Sequence, residues 1–209
     1  MSGKQEGTRE RILSVAETII LQRGFSATSI DDILQNAAIT KGGFFYHFNG
    51  KKELARALVE RYLDEDDRIF AGLFAQADAQ SDDPLQQVLL FLEQFADMMR
   101  TLQDTHPGCL VASFTYESQQ LDGDVHELVK QGVLIWRKLL LARLEKVAAL
   151  YSPCAPISLT AVADMFTSSV EGGIILSRIL QSNEPLADQI MLYRQYLQLL
   201  FQPQWPSQP

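Results

Sequence analysis

At 209 residues, 46% hydrophobic and 21% charged, the chain has an ordinary globular composition, with room for one large helical domain or a small domain joined to a larger one. No apolar run approaches the roughly 18 residues of a membrane span, and Met1–Arg11 lacks the apolar core of a signal peptide, so a cytoplasmic protein without a membrane partner is expected. The net charge of −8 excludes a uniformly basic nucleic-acid binder, yet residues 1–52 carry seven basic against five acidic side chains, a net +2, and the rest of the chain carries −10.

The first helix is predicted over Thr8–Arg23, where Ile12, Leu13, Ala16, Ile19 and Ile20 share one face. Thr8 is its expected N-cap, and Gly24 stands where a left-handed residue ends a helix. A second short helix starts at Thr28 or Ser29, because Ser29 with Asp32 forms an acidic capping box before the apolar positions Ile30, Ile33, Leu34 and Ala37. After a turn at Ala38-Ile39, a third helix covers Lys41–Phe48, and Asn49-Gly50 breaks the chain before a fourth. Asp83-Pro84 opens a fifth helix, and a shorter one runs from Cys109 to about Ser118. A long helix follows from Gly123 to about Leu150. Two more cover about Ser158–Gln181 and Pro185–Phe201. The expected fold is therefore all-α, with about nine helices. Residues 1–50 form a three-helix helix-turn-helix unit, 51–202 a larger helical body, and 203–209 a flexible tail.

The densest chemistry lies between Thr40 and Leu54. Two lysine clusters bracket four aromatic residues and His47, with no acid before Glu53. Thr40 caps a helix whose free amides suit phosphate. Gly42 and Gly43 cost about 1 kcal/mol each in a helix, so something needs the space they leave. Lys41, Tyr46, His47, Lys51 and Lys52 supply donors for a nucleic-acid backbone. Phe44 and Phe48, four apart, belong to the small domain's core.

These residues carry a resemblance. The Phe25–Thr28 lead-in, Thr28-Ser29-Ile30 with Ile33, and the run Lys41-Gly42, Tyr46-His47-Phe48, Lys51 and Leu54 resemble the DNA-binding domain of the TetR family of bacterial transcriptional repressors. The resemblance implies that the third helix enters the major groove. Lys41, Gly42 and Tyr46 then touch bases or backbone, His47 and Lys51 touch phosphate, and Ser29 touches phosphate near the start of the second helix. Thr40 and Gly43 complete the expected DNA-binding set. Two departures are visible. Phe45 stands where a tyrosine is common, and Ala38 stands where glycine is common, which costs about 1 kcal/mol if that residue is left-handed.

The resemblance also implies that 1–50 is a DNA-binding domain and 51–202 an effector-binding and dimerisation domain, with a homodimer on a palindromic double-stranded operator, a small hydrophobic or aromatic effector, and no enzyme activity. The expected effector pocket draws on Phe70, Phe74, Phe91, Phe95, Met98 and Met99. Cys109, Phe114, Trp136 and Phe166 complete it, with Arg137, Gln94 or Glu117 setting its polarity. The expected dimer surface comprises Phe166, Ser169, Gly172, Gly173, Leu176, Tyr193, Tyr196 and Leu200. Two other readings stay open. Gly108-Cys109-Leu110, opening a helix where the dipole lowers a thiol pKa, resembles family members that respond to electrophiles, including the repressor of N-ethylmaleimide reductase. A helix-turn-helix protein with no effector is the third possibility. Cys109 with His106 makes a poor nucleophile and base, having no orienting acid. Cys109 and Cys154 show no metal-ligand spacing, so neither metal nor cofactor is expected.

Overall fold

Helix α1, Thr8–Arg23, is capped one residue before the expected position. Gly7 is the N-cap and no side chain caps the helix, so Thr8 is already its first helical residue. The computed structural model describes residues 7–117 and 123–201, and the tail expected at 203–209 lies outside them. Among the described residues there are nine helices and no strand. After α1 come α2, Ile30–Ala37, α3, Lys41–His47, and α4, Lys51–Gln80. Then follow α5, Pro84–Arg100, α6, Leu110–Tyr116, and α7, Gly123–Leu150. The last two are α8, Leu159–Leu180, and α9, Glu184–Phe201.

Packing divides the described residues into two compact units. Among the described residues the first draws on 7–66, 107–117 and 123–132, so the opening of α4, all of α6 and the start of α7 pack with the helix-turn-helix. Its core is aliphatic and aromatic. Ile12, Leu13, Ile20, Ile33, Phe44, Phe48, Leu54 and Leu58 are all buried. At about 25 cal/mol per Å2 of apolar surface, such burial is what holds helices as short as α2 and α3, which are too short to persist alone. Arg61 of α4 pins α1 from the side, donating to Glu10 at 3.3 Å, to the Ser14 hydroxyl at 3.1 Å, and to Glu17.

The second unit draws, among the described residues, on 67–106 and 133–201. In it α9 packs against both α5 and α8. Tyr193, almost fully buried, donates its hydroxyl to the Val162 carbonyl at 2.9 Å, and buried Ser177 accepts from the Leu186 N–H at 3.0 Å. Gly173 is needed where α8 meets α9, because a Cβ there would lie 2.8 Å from the Leu186 Cα. Gly173→Ala gains helix propensity but forces backbone against backbone, so a net loss of about 1–2 kcal/mol is expected, read as a lower urea midpoint with an unchanged m value.

Helix α8 is the one described helix that is long and apolar enough to cross a membrane by length and composition, although it holds no uninterrupted apolar run of that length. Its Val, Ile, Leu, Phe and Met residues supply that hydropathy, but Asp164, Ser168, Ser169 and Glu171 interrupt them, so they form no continuous run. Only 28% of its most apolar window is buried within the chain. Met165, Leu176, Ile179 and Leu180 lie along its exposed side, with Leu192 and Leu199 exposed on α9.

Candidate nucleic-acid interface

The reading element is α2, a three-residue turn and α3. Ser29 caps α2 reciprocally with Asp32: the Asp32 N–H donates to the Ser29 hydroxyl at 3.1 Å, and the Ser29 N–H donates to Asp32 Oδ2 at 2.9 Å. Hydrogen bonds from the Ser29 hydroxyl and backbone, then from Arg23, hold the Asp32 carboxyl down at about 2. The cap's contribution to stability is therefore present above the ordinary carboxylate range and is lost only as pH falls through about 2. The turn closes through Ala38, whose backbone is left-handed at φ 51°, ψ 50°, the position where the resemblance expects glycine.

Thr40 then caps α3, its Oγ1 accepting from the Gly43 N–H at 3.1 Å. From there the helix has two faces. Phe44 and Phe48 point into the core, with ring centroids 5.8 Å apart. Lys41, Gly42, Phe45 and Tyr46 form the opposite stripe, and Tyr46 is 84% exposed. Nothing inside the protein requires glycine at position 42, where an added Cβ would meet only Thr40 Oγ1 at 4.0 Å. The space it leaves is on the outer surface. His47 is half-buried, edge-on to Tyr46 with centroids 4.9 Å apart.

Lys51 is placed differently from the expectation. Its Nζ donates to the Phe25 carbonyl at 2.6 Å and lies 4.2 Å from the centroid of the Phe25 ring. Partial burial pushes its pKa down, while nearby Glu117 pulls it back up. The ammonium is spent inside the unit, holding the connection between α1 and α2.

Glu117 was expected to set the polarity of an effector pocket, but it lies at the C-cap of α6 in the first unit. Its Oε1 accepts from the Phe25 N–H at 2.7 Å. Its Oε2 accepts from the Ser26 N–H at 2.6 Å and from the Ser26 hydroxyl. Desolvation raises the Glu117 pKa, but the hydrogen bonds from Ser26 and Phe25, with Lys51 nearby, more than offset it and hold the carboxyl below its usual range. Sequence carried no local signal for this contact, which joins residues 92 positions apart.

The residues expected around an effector divide between the two units. Phe114 is in the first, edge-on to Phe25 with centroids 5.3 Å apart. Cys109 is also there, buried, its Sγ capping α6 by accepting from the Ala112 N–H at 3.4 Å. In the second unit Phe70, Phe74, Phe91, Phe95 and Phe166 pack on one another, Phe74 and Phe91 lying parallel with centroids 3.9 Å apart. Met99 is buried, while Met98 and Trp136 are partly exposed. Arg137 is committed to Asp164 at 2.6 Å. Gln94 differs, because its Oε1 is buried and accepts no hydrogen bond from the described residues.

The expected dimer residues also divide. Phe166, Gly173, Tyr193 and Leu200 are buried inside the chain, so they cannot face a second copy directly. Leu176 is exposed, and Ser169, Gly172 and Tyr196 are partly so.

A capped helix, a left-handed turn and a second helix with a polar, glycine-opened outer face define a helix-turn-helix of the kind that docks one helix in the major groove. Comparison with known proteins makes the class specific. Residues 12–58 match the model of the bacterial regulatory proteins of the tetR family, and residues 84–191 match a tetracyclin repressor-like C-terminal domain. The chain belongs to the TetR family of transcriptional regulators. Among its relatives is the transcriptional repressor DhaR of Mycobacterium sp. (strain GP1), 25% identical over 203 residues that cover 95% of this chain and 93% of DhaR. The repressor NemR of Escherichia coli (strain K12) is 25% identical over 128 residues, 61% of this chain and 62% of its own. With several relatives at this identity, the comparison does not single out the electrophile-responsive branch. A crystal structure of a TetR-family regulator from Agrobacterium tumefaciens superposes with a TM-score of 0.74 at 25% identity, covering 93% and 97% of the two chains. Regulators of this family bind DNA operators and are not enzymes.

Proposed function

We propose that the chain is a cytoplasmic homodimeric repressor that holds a palindromic operator through α3 and is released by a small hydrophobic or aromatic effector in its second unit. The observation that carries the DNA half is Gly42, a helix-weakening residue with no internal need for its missing side chain, set beside exposed Lys41 and Tyr46. Lys41, Tyr46 and His47 read or anchor the duplex, with Ser29 near a phosphate. Dimerisation is supported by the stripe of exposed apolar residues on α8, whose burial against a second copy recovers roughly 25 cal/mol per Å2.

The effector half is supported by Gln94. A buried carbonyl left unpaired costs about 1–3 kcal/mol, and an aromatic ligand carrying an N–H or O–H donor would satisfy it. Such a ligand releases DNA only by favouring the DNA-incompetent arrangement over the competent one. The test is a thermal-shift screen of aromatic compounds with and without a donor, followed by fluorescence anisotropy on a duplex selected from random sequence by the protein itself. Donor-bearing compounds are expected to raise the melting temperature and to weaken DNA binding. Compounds that bind without changing DNA affinity would refute the effector half.

A further inference from the structure

The segment joining α1 to α2 is held on every side by residues from outside the helix-turn-helix. Helix α1 ends at Arg23, and Gly24 turns the chain at φ 89°, ψ 159°, a backbone that favours glycine. The next two amides, of Phe25 and Ser26, both donate to the Glu117 carboxylate, and the Ser26 hydroxyl joins them. The Phe25 carbonyl accepts from Lys51 at 2.6 Å. The Phe25 ring lies between Phe114 of α6 and the Lys51 ammonium. Thr28, buried just before α2, donates its hydroxyl to the Gly24 carbonyl at 2.7 Å and closes the turn. Gly24 has a second reason to be glycine, since a Cβ there would sit 2.6 Å from Glu117 Oε1.

Three donors on one carboxylate, with a cation beside it, is an arrangement of charge-assisted hydrogen bonds, each stronger than a neutral one. It is also directional. Both amides are fixed to a group at the end of α6, so the path by which the chain leaves α1 and enters α2 is set from α6 as well as from within the three-helix head. A neutral or shorter side chain at 117 would leave two amides to be solvated, and the connection would then sample several paths.

We propose that Glu117 is a positioning residue for DNA reading: its carboxylate, at the end of α6, clasps the α1–α2 connection and thereby fixes the placement of α2 and α3 that the operator requires. Lys51 completes the clasp by holding the opposite face of the same peptide unit. The assignment rests on the DNA-reading role of α3 and is independent of any effector.

The test compares E117A and E117Q with the unmodified chain by amide hydrogen exchange and by anisotropy on the selected duplex. E117Q keeps one acceptor oxygen and guards against loss of fold in E117A. Exchange at Phe25 and Ser26 is expected to quicken about tenfold or more in E117A and less in E117Q, while core amides of α1 are unchanged. DNA affinity falls by about tenfold in E117A, less in E117Q, with the same slope of log affinity against log salt, because no phosphate contact has been removed. Unchanged exchange at Phe25 and Ser26 would refute the clasp. Faster exchange with undiminished DNA affinity would refute its positioning role. A change confined to the salt slope would make Glu117 an electrostatic influence only and overturn the proposal.

Discussion

Replacing Lys41 and Tyr46 together by alanine is expected to lower affinity for a selected operator duplex by at least about a hundredfold, while the melting temperature stays within about 2 °C of the parent. Both side chains are exposed, so the first unit loses no core contact when they are shortened. Contacts to base edges and phosphates contribute about 1–3 kcal/mol apiece, and a dimer loses each of them twice. The two losses separate by their salt response. Lys41→Ala alone reduces the slope of log affinity against log salt, because a phosphate neutralised by lysine releases counterions. Tyr46→Ala lowers affinity with little change of slope. Isothermal titration at several salt concentrations measures both, and a double variant that binds as tightly as the parent would remove α3 from the DNA contact.

The second large effect belongs to α8. Leu176→Glu with Ile179→Glu places two carboxylates per protomer on the exposed apolar side, at residues 43% and 72% exposed in the single chain. The protomer folds without them, so its own stability changes little. In a dimer they bring four like charges into an apolar contact, and an unpaired buried charge costs about 3–5 kcal/mol. Sedimentation velocity is expected to show dimer dissociation strengthened by about a thousandfold or more. Operator affinity falls with it, since one head then holds one half-site without the help of its neighbour. A double variant that remains dimeric at nanomolar concentration would place the interface elsewhere.

Local chemistry made most of the helices legible. Ser29 with Asp32, Thr40 before two glycines, and Asp83 before Pro84 each cap a helix start as their side chains predict. The inward turn of Phe44 and Phe48 followed from their spacing. Three things were not legible, each for a physical reason. Lys51 is basic and lies in the DNA-binding motif, but whether its ammonium faces a phosphate or a carbonyl depends on Phe25, far away in sequence. The Glu117 clasp is a long-range contact with no periodicity to announce it. On α8, apolar residues occur on more than one face, and composition does not say which face meets α9. Phe166 and Gly173 proved to be inside the chain, while Leu176 and Ile179 lie outside it. Ala38 shows the opposite case, a residue whose unusual left-handed backbone was foreseen as a cost, and the turn adopts it nevertheless.

With the first unit proposed to read DNA and the exposed side of α8 proposed to pair two copies, the central claim is the geometry of two heads on one DNA. The measurement closest to that claim is hydroxyl-radical footprinting of the selected duplex, with protein stoichiometry read from sedimentation of the same complex. Two equivalent protected half-sites, related by a two-fold axis and centred about one helical turn or a multiple of it apart, with protomers bound in pairs, are the predicted result. A single protected half-site occupied by one protomer would contradict it.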